Sequence, residues 1–234
     1  MYIYYPSCNF AISSPQTAKK VREYLKEKMD IAKCCKIDQR KFNEEDIGIY
    51  VCQACRGQIE NQVNTMSLWQ YLDQLDDFKF PDYHGQKMYL QDCWRDRNHP
   101  EIHQAVRSLL KKMNIEVLEI EKNKENSIYC GTLHYENKEL KDNHLSHYSK
   151  EIQEKYMYDY VQQFQGIQVI CTCNRCLKGI LLGTFTQMER EQPVPAVYSL
   201  LKRYINEELP VVKTEYIGHG EDSKAIQIGK KYKF

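Results

Sequence analysis

The chain has 234 residues, a formal net charge of +1, 42% apolar residues and 28% charged ones. These values suit one large or two small globular domains able to bury a core, and so even a charge balance offers no field for capturing nucleic acid or a membrane surface. No apolar run approaches the roughly 20 residues of a membrane-crossing helix, and no basic segment followed by an apolar one opens the chain, so a cytoplasmic protein is expected.

In chain order, the aromatic and β-branched run "YIYY" at 2–5 predicts a strand that ends just before Cys8. A helix is expected from Ser14-Pro15, because the first helical position tolerates a missing N–H. Ala18, Val21, Leu25 and Met29 then share one face, which is read as core packing. After the vicinal pair Cys34-Cys35, "IGIYVC" at 47–52 predicts a second strand running into Cys52-x-x-Cys55, and "QIENQVNTMSLWQYLDQL" at 58–75 predicts a helix. Pro81 and Gly85 break the pattern within "DDFKFPDYHGQ" at 76–86.

The second half then follows the same sequence of elements. "KMYLQ" leads to Cys93, and Pro100 opens a helix with Ala105, Val106, Leu109, Leu110 and Met113 on one face. "IEVLEI" at 115–120 predicts a further strand, and "IQVICTC" at 167–173 runs into Cys173-x-x-Cys176. A helix is expected over "VPAVYSLLKRYINEE" at 194–208. Adding 85 to Cys8, Pro15, Val21 and Leu25 gives Cys93, Pro100, Val106 and Leu110. The expected organisation is therefore two pseudo-symmetric lobes, 1–80 and 86–208, with an extension over 209–234 that forms either an edge hairpin or a docking arm. Alternating strands and helices predict an α/β fold with Rossmann-like lobes and mostly parallel sheets. Loops at the carboxyl ends of such strands build ligand sites, and Cys8, Cys52, Cys93 and Cys173 all follow strands.

Ten cysteines are the outlier of the composition. In a reducing compartment that number points to metal or redox chemistry rather than disulfides. A vicinal pair and two CxxC pairs present thiolates a few ångströms apart, as a polynuclear metal site needs. The plainer reading, scattered buried cysteines acting as small apolar residues, does not account for the recurring spacings.

The order "YYPSC", "CC", "CQAC", followed by "LQDC", "YCG", "CNRC", resembles the cysteine-rich or CCG domain over roughly residues 1–205. That domain occurs in duplicate in the disulfide-splitting subunit of heterodisulfide reductase, and also in iron–sulfur subunits of glycolate oxidase, lactate-utilisation complexes and some succinate dehydrogenases. The resemblance implies a first ligand set of Cys8, Cys34, Cys35, Cys52 and Cys55 holding a noncubane 4Fe-4S cluster. Lys36 stands where the family has glycine, and the gaps of 25 and 16 residues within this set are shorter than the family's. It implies a second set of Cys93, Cys130, Cys173 and Cys176. Here Tyr129 replaces the first cysteine of the Cys-Cys-Gly triplet and Cys171 is a possible substitute. Four thiolates suffice for a conventional cluster or a tetrahedral Zn²⁺, so the second site is iron–sulfur, zinc or metal-free.

Asp92, Arg95, Asp96 and Arg97 surround Cys93, where an arginine can take an anionic substrate group or simply form ordinary ion pairs. Arg56 and Arg175 beside the CxxC pairs can offset cluster charge or be solvated. His99, His103, His134 and His219 are ligands only by residue type, and the 18 tyrosines are read mostly as core. No GxGxxG or GxxxxGK[ST] fingerprint is present, so electrons must come from a flavin or iron–sulfur partner protein. The expected function is an iron–sulfur oxidoreductase of the heterodisulfide-reductase type acting on a small disulfide, or an electron relay in a multi-subunit complex. The alternatives are a non-catalytic electron-transfer or assembly module and a zinc-stabilised structural protein.

Overall fold

A computed structural model describes residues 1–13, 15–130, 133–134, 149–165, 167–173, 176, 180 and 197–199. Within these the chain is α/β, with two four-stranded sheets in which every neighbouring pair is parallel. The first sheet holds β1 (Tyr2–Tyr5), β2 (Asp30–Ile31), β3 (Ile47–Tyr50) and β4 (Asn64–Ser67) in the order β2-β1-β3-β4. Its central strands are almost wholly buried, as parallel strands covered on both faces must be. Gly48 in β3 is required by close approach: a Cβ there would lie 2.9 Å from Ile59 Cδ1 and 3.3 Å from Val63 Cγ1.

The helices of this half are α1 (Cys8–Ser13), α2 (Pro15–Leu25), α3 (Gln53–Ile59) and α4 (Leu68–Asp73). Helix α2 begins at Pro15 as expected and buries Val21 and Leu25; Met29, also buried, lies beyond its end. The helix expected over 58–75 is not continuous. The chain leaves α3 at Ile59, pairs as β4 with β3 through Gly48 and Thr65, and restarts as α4. The restart is a capping box: Ser67 Oγ accepts from the Gln70 backbone N–H while the Gln70 side chain accepts from the Ser67 N–H. An available sheet edge and this cap override the helical periodicity of the segment.

The second sheet holds β5 (Gln86–Gln91), β6 (Ile115–Glu119), β9 (Val169–Cys171) and β10 (Val197–Ser199), and reads β6-β5-β9-β10 from one edge. Between β5 and β6 runs α5 (Pro100–Lys112), with Pro100 in its first turn and Lys111 and Lys112 in its last, where cations meet the helix dipole favourably. A short antiparallel pair, β7 (Tyr129–Cys130) with β8 (Leu133–His134), and helix α6 (Lys150–Val161) complete the described elements. Where a helix was expected over 194–208, residues 197–199 form β10 beside β9. The rest of that span and the extension over 209–234 lie outside the described residues.

One apolar cluster joins the two halves. Tyr4, Val21, Leu25, Ile49, Leu68 and Trp69 belong to it together with Met88, Leu90, Ile102, Val106, Leu109 and Leu110. Helix α4 packs on α5, and Lys112 ties to Asp73 through both the side chain and the backbone carbonyl. Phe78, Phe80 and Tyr83 of the connecting segment pack against the same cluster, so the connection is part of the core.

Candidate metal centre

Strand β5 delivers the chain to Cys93, and the loop there is fixed by its polar neighbours. Asp92 is buried and accepts from Arg107 Nη2 at 2.7 Å and from the Lys124 backbone N–H at 2.9 Å. Its carbonyl accepts from Ser127 Oγ and Gln91 Nε2. Arg107 is held in turn by Glu119. Cys93 then precedes a 3-10 turn, Trp94–Asp96. Cys130 ends β7, and Cys173 follows β9 by two residues.

These segments bring Cys93, Cys130, Cys173 and Cys176 together with all four sulfurs within 4.8 Å of one another. Among the described residues this is the one group of three or more cysteine, histidine or acidic side chains that close. All four are buried, and Cys93 Sγ lies 3.3 Å from Cys130 Sγ. Burial and neighbouring thiols push Cys93 and Cys176 well above the usual thiol range. Hydrogen bonds from Cys130, Cys176 and Cys93 hold Cys173 well below it. Four buried sulfurs this close together are a donor set that can hold a metal ion or an iron–sulfur cluster.

Tyr129, the residue before Cys130, covers this group. Its ring stacks on Tyr160 at 4.3 Å between centroids, and its hydroxyl reaches the Cys176 carbonyl at 3.4 Å and Met157 Sδ at 3.8 Å. Tyr160 donates to Gln91 Oε1. Cys171 is buried next to the group but is not one of the four, because it sits within β9 opposite Gln91.

The first cysteine set is more open. Cys8 is exposed at the start of α1, Cys34, Cys35 and Cys52 are half-buried, and Cys55 is buried. Cys35 Sγ lies 3.5 Å from Cys55 Sγ. Cys52 immediately precedes α3, and its thiol is lowered to about 5 by the Cys55 thiol, with the Ser7 hydroxyl and Ala54 N–H assisting against burial. Cys55 is pushed up by its bond to Cys52 and by burial. Cys35, Cys52 and Cys55 thus form a connected chain, with Cys8 and Cys34 close enough for their charges to act on Cys35. The five do not draw into the tight group that the other four make.

Helix α3 links the two sets. Gln53 Nε2 donates to Asp96 Oδ2 at 2.6 Å, Arg56 Nη1 to Asp96 Oδ1 at 2.8 Å, and Arg56 Nη2 to the Arg95 carbonyl at 2.6 Å. All three side chains are buried, and burial raises the Asp96 carboxyl to about 6 despite Arg56. The charge of Cys173 acts on both Asp96 and Cys52, so the two sets are neighbours. Three of the four charges around Cys93 are engaged within the fold. Asp92 binds Arg107, Asp96 binds Arg56, and Arg97 lies over the Trp94 ring at 3.7 Å. Arg56 faces a carboxylate, which cancels much of the charge it was expected to lend a cluster. His99 pairs with Glu101 and His103 is buried in α5; neither joins the sulfur group. Arg175, His219 and the His134 side chain lie outside what is described. Ser7, Asn9 and Gln53, which contact Cys52 or Asp96, carried no signal in the sequence beyond adjacency to a cysteine.

Comparisons with protein-family models, with curated proteins and with solved structures gave no match. No described helix is long and apolar enough to cross a membrane.

Proposed function

We propose that the chain is a metal–thiolate redox protein of the duplicated cysteine-rich type, similar to the disulfide-splitting subunit of heterodisulfide reductase, that reduces a small disulfide or relays electrons inside a larger assembly. The observation that carries this reading is the convergence of Cys93, Cys130, Cys173 and Cys176, from three remote stretches of chain, into one buried group beside a second cysteine set. Burial of four potential thiolates without a cation costs several kcal/mol per charge, so a fold that collects them gains most when a metal neutralises them. The shared strand order, β2-β1-β3-β4 against β6-β5-β9-β10, supports duplication of one lobe. In both, the strand before the first cysteine and the strand before the CxxC pair lie side by side.

An iron–sulfur centre bound here would supply single electrons. The chain's own contribution is to hold the donors and exclude water. Arg107 and Lys124 fix Asp92 and thereby the Cys93 loop, Tyr129 and Tyr160 roof the four-sulfur group, and Arg56 braces α3 against Asp96. The half-buried first set remains the side open to a substrate or partner. Without a nucleotide fingerprint, the electron source is a separate flavin or iron–sulfur protein.

The sulfur spacing favours a second reading for the buried group. Four thiolates around one Zn²⁺ at about 2.3 Å stand about 3.8 Å apart, close to the spacing here, whereas a cluster of several irons needs them spread wider. In that reading the buried group is structural, and redox chemistry is confined to the first set. Anaerobic purification with iron, sulfide and zinc counted per chain separates the readings. Iron and sulfide lost in both Cys35→Ser and Cys173→Ser support two clusters. Zinc lost only in Cys173→Ser, with iron lost in Cys35→Ser, supports the mixed protein. Zinc without iron in any preparation overturns redox function. Turnover of reduced viologen with small disulfides distinguishes an enzyme from a carrier.

A further inference from the structure

Helix α3 serves both cysteine sets. Cys52 immediately precedes it and Cys55 lies in its first turn, so its placement fixes two sulfurs of the first set. Gln53 and Arg56 are three residues apart and share a face of it. Both side chains are buried, and both reach the turn Trp94–Asp96, which Cys93 of the second set immediately precedes. Gln53 Nε2 and Arg56 Nη1 donate to the two carboxylate oxygens of Asp96 at 2.6 and 2.8 Å, and Arg56 Nη2 donates to the Arg95 carbonyl at 2.6 Å. Asp96 is itself buried, so the ion pair lies in the interior, between the helix of one set and the loop of the other.

A buried ion pair is a poor device for stability alone, since an apolar pair of similar volume often does as well or better. What it enforces is position. Its halves cannot part without leaving a charge unpaired in the interior, which costs far more than losing the pair as a whole. Helix α3 and the Cys93 loop therefore keep one arrangement relative to each other. We infer that Arg56 and Asp96 are positioning residues that couple the two sets. Metal held by the first set tightens metal binding at Cys93, Cys130, Cys173 and Cys176, and the reverse holds by the same factor. Coupling of this kind rests on the proposal that both sets hold metal. A brace that served folding only would stabilise the chain and leave the two sites independent.

The test titrates the full chain anaerobically with cobalt(II), which thiolates bind as they bind zinc and which then absorbs visible light. Absorbance missing from Cys173→Ser belongs to the buried group, and absorbance missing from Cys35→Ser to the first set. The buried group is titrated in wild type and in Cys35→Ser, then in the same pair carrying Arg56→Met with Asp96→Asn. That double change removes the ion pair, leaves no buried charge and keeps an acceptor for Gln53. Arg56→Met with Asp96→Leu, a wholly apolar pair, takes its place should it fail to fold, with the same expectation. With the ion pair present, Cys35→Ser should weaken cobalt binding at the buried group about tenfold. Without the ion pair, Cys35→Ser should make no difference there. An equal weakening in both backgrounds would mean that the pair only braces the fold, and would overturn the inference. So would a buried group indifferent to Cys35→Ser in wild type, and the first-set absorbance then tells two failures apart. If wild type shows that absorbance, the sites are independent and the inference alone falls. If wild type lacks it, the first set is no metal site and the proposed function falls as well.

Discussion

The two cysteine sets occupy similar places on two parallel sheets, yet they differ in closure. The set around Cys93 is buried, mutually in contact and roofed by stacked tyrosines. The set around Cys52 is more open, with Cys8 exposed and a chain of three sulfurs in which Cys55 meets both Cys35 and Cys52. A closed tetrad suits a centre that holds structure or passes electrons. An open chain of thiols suits a centre that meets another molecule. The neighbours of the sulfurs differ too: the residue before Cys130 is Tyr129, stacked on Tyr160, whereas the residue before Cys35 is another cysteine, Cys34.

The hardest way to break this comparison is to remove one sulfur from each set. Cys173→Ser takes away the thiolate on which the three other thiols converge. Metal affinity at the buried group should fall by more than the roughly 100-fold that loss of a supporting residue causes, with a clear drop in melting temperature. Cys8→Ser, at an exposed position, should leave the melting temperature within a degree or so of wild type, since exposed substitutions usually stay within about 0.5 kcal/mol. Metal analysis and calorimetry on both variants check this. Equal destabilisation would mean that the first set is as structural as the second.

Thiol reactivity sharpens the contrast without mutation. In metal-free protein at neutral pH, iodoacetamide should modify Cys8 and Cys52 first, Cys8 for its exposure and Cys52 for its ready thiolate. Cys93, Cys130, Cys173 and Cys176 should react about 100-fold more slowly or less, because reagent reaches them only after local opening. Peptide mapping over time reports the order. Early labelling of Cys173 would mean that the tetrad is not closed in solution.

Several of these features were legible in the sequence, and the failures have physical causes. β1, β3, β5, β6 and β9, and the Pro-initiated helices α2 and α5, appear where strand composition and the N1 proline put them. The helix read over 58–75 broke because a parallel edge at β3 was available, which no local periodicity reports. Only the Cys173–Cys176 pair of the tetrad was legible in spacing; Cys93 and Cys130 were joined to it through the resemblance alone, because they lie 37 residues apart and no local pattern reports that they meet. The exclusion of Cys171 was not legible either, since the turn after β9 decides which sulfurs meet. The Arg56–Asp96 tie was invisible for a plainer reason. Its partners lie 40 residues apart, and each was read only against the nearest cysteine.

That tie carries the next prediction, because it connects the two sets. The Asp96 carboxyl titrates near 6 in the fold against an ordinary 3.8. A raised carboxyl favours the protonated fold, so its contribution is full below about pH 4 and is lost as pH rises through about 6. The loss is about 3 kcal/mol for a shift of about two units. Asp96→Asn cannot titrate. The stability difference between wild type and Asp96→Asn, measured in metal-free protein by urea unfolding across that window, should shrink or reverse as pH rises. A pH-independent difference would mean that Asp96 stays ionised throughout, held by Arg56. Arg56→Met at pH 7 leaves the buried carboxylate unpaired and should cost about 3–5 kcal/mol.

The smallest effect concerns the ring over the buried set. The Tyr129 hydroxyl has partners, the Cys176 carbonyl and Met157 Sδ. Tyr129→Phe keeps the stack on Tyr160 but gives up these bonds, and the Cys176 carbonyl loses a donor in a buried place. Tyr129→Phe should therefore be less stable by about 1 kcal/mol. Denaturant melts of wild type and variant read it, and equal midpoints would mean that the closed set does not depend on this hydroxyl.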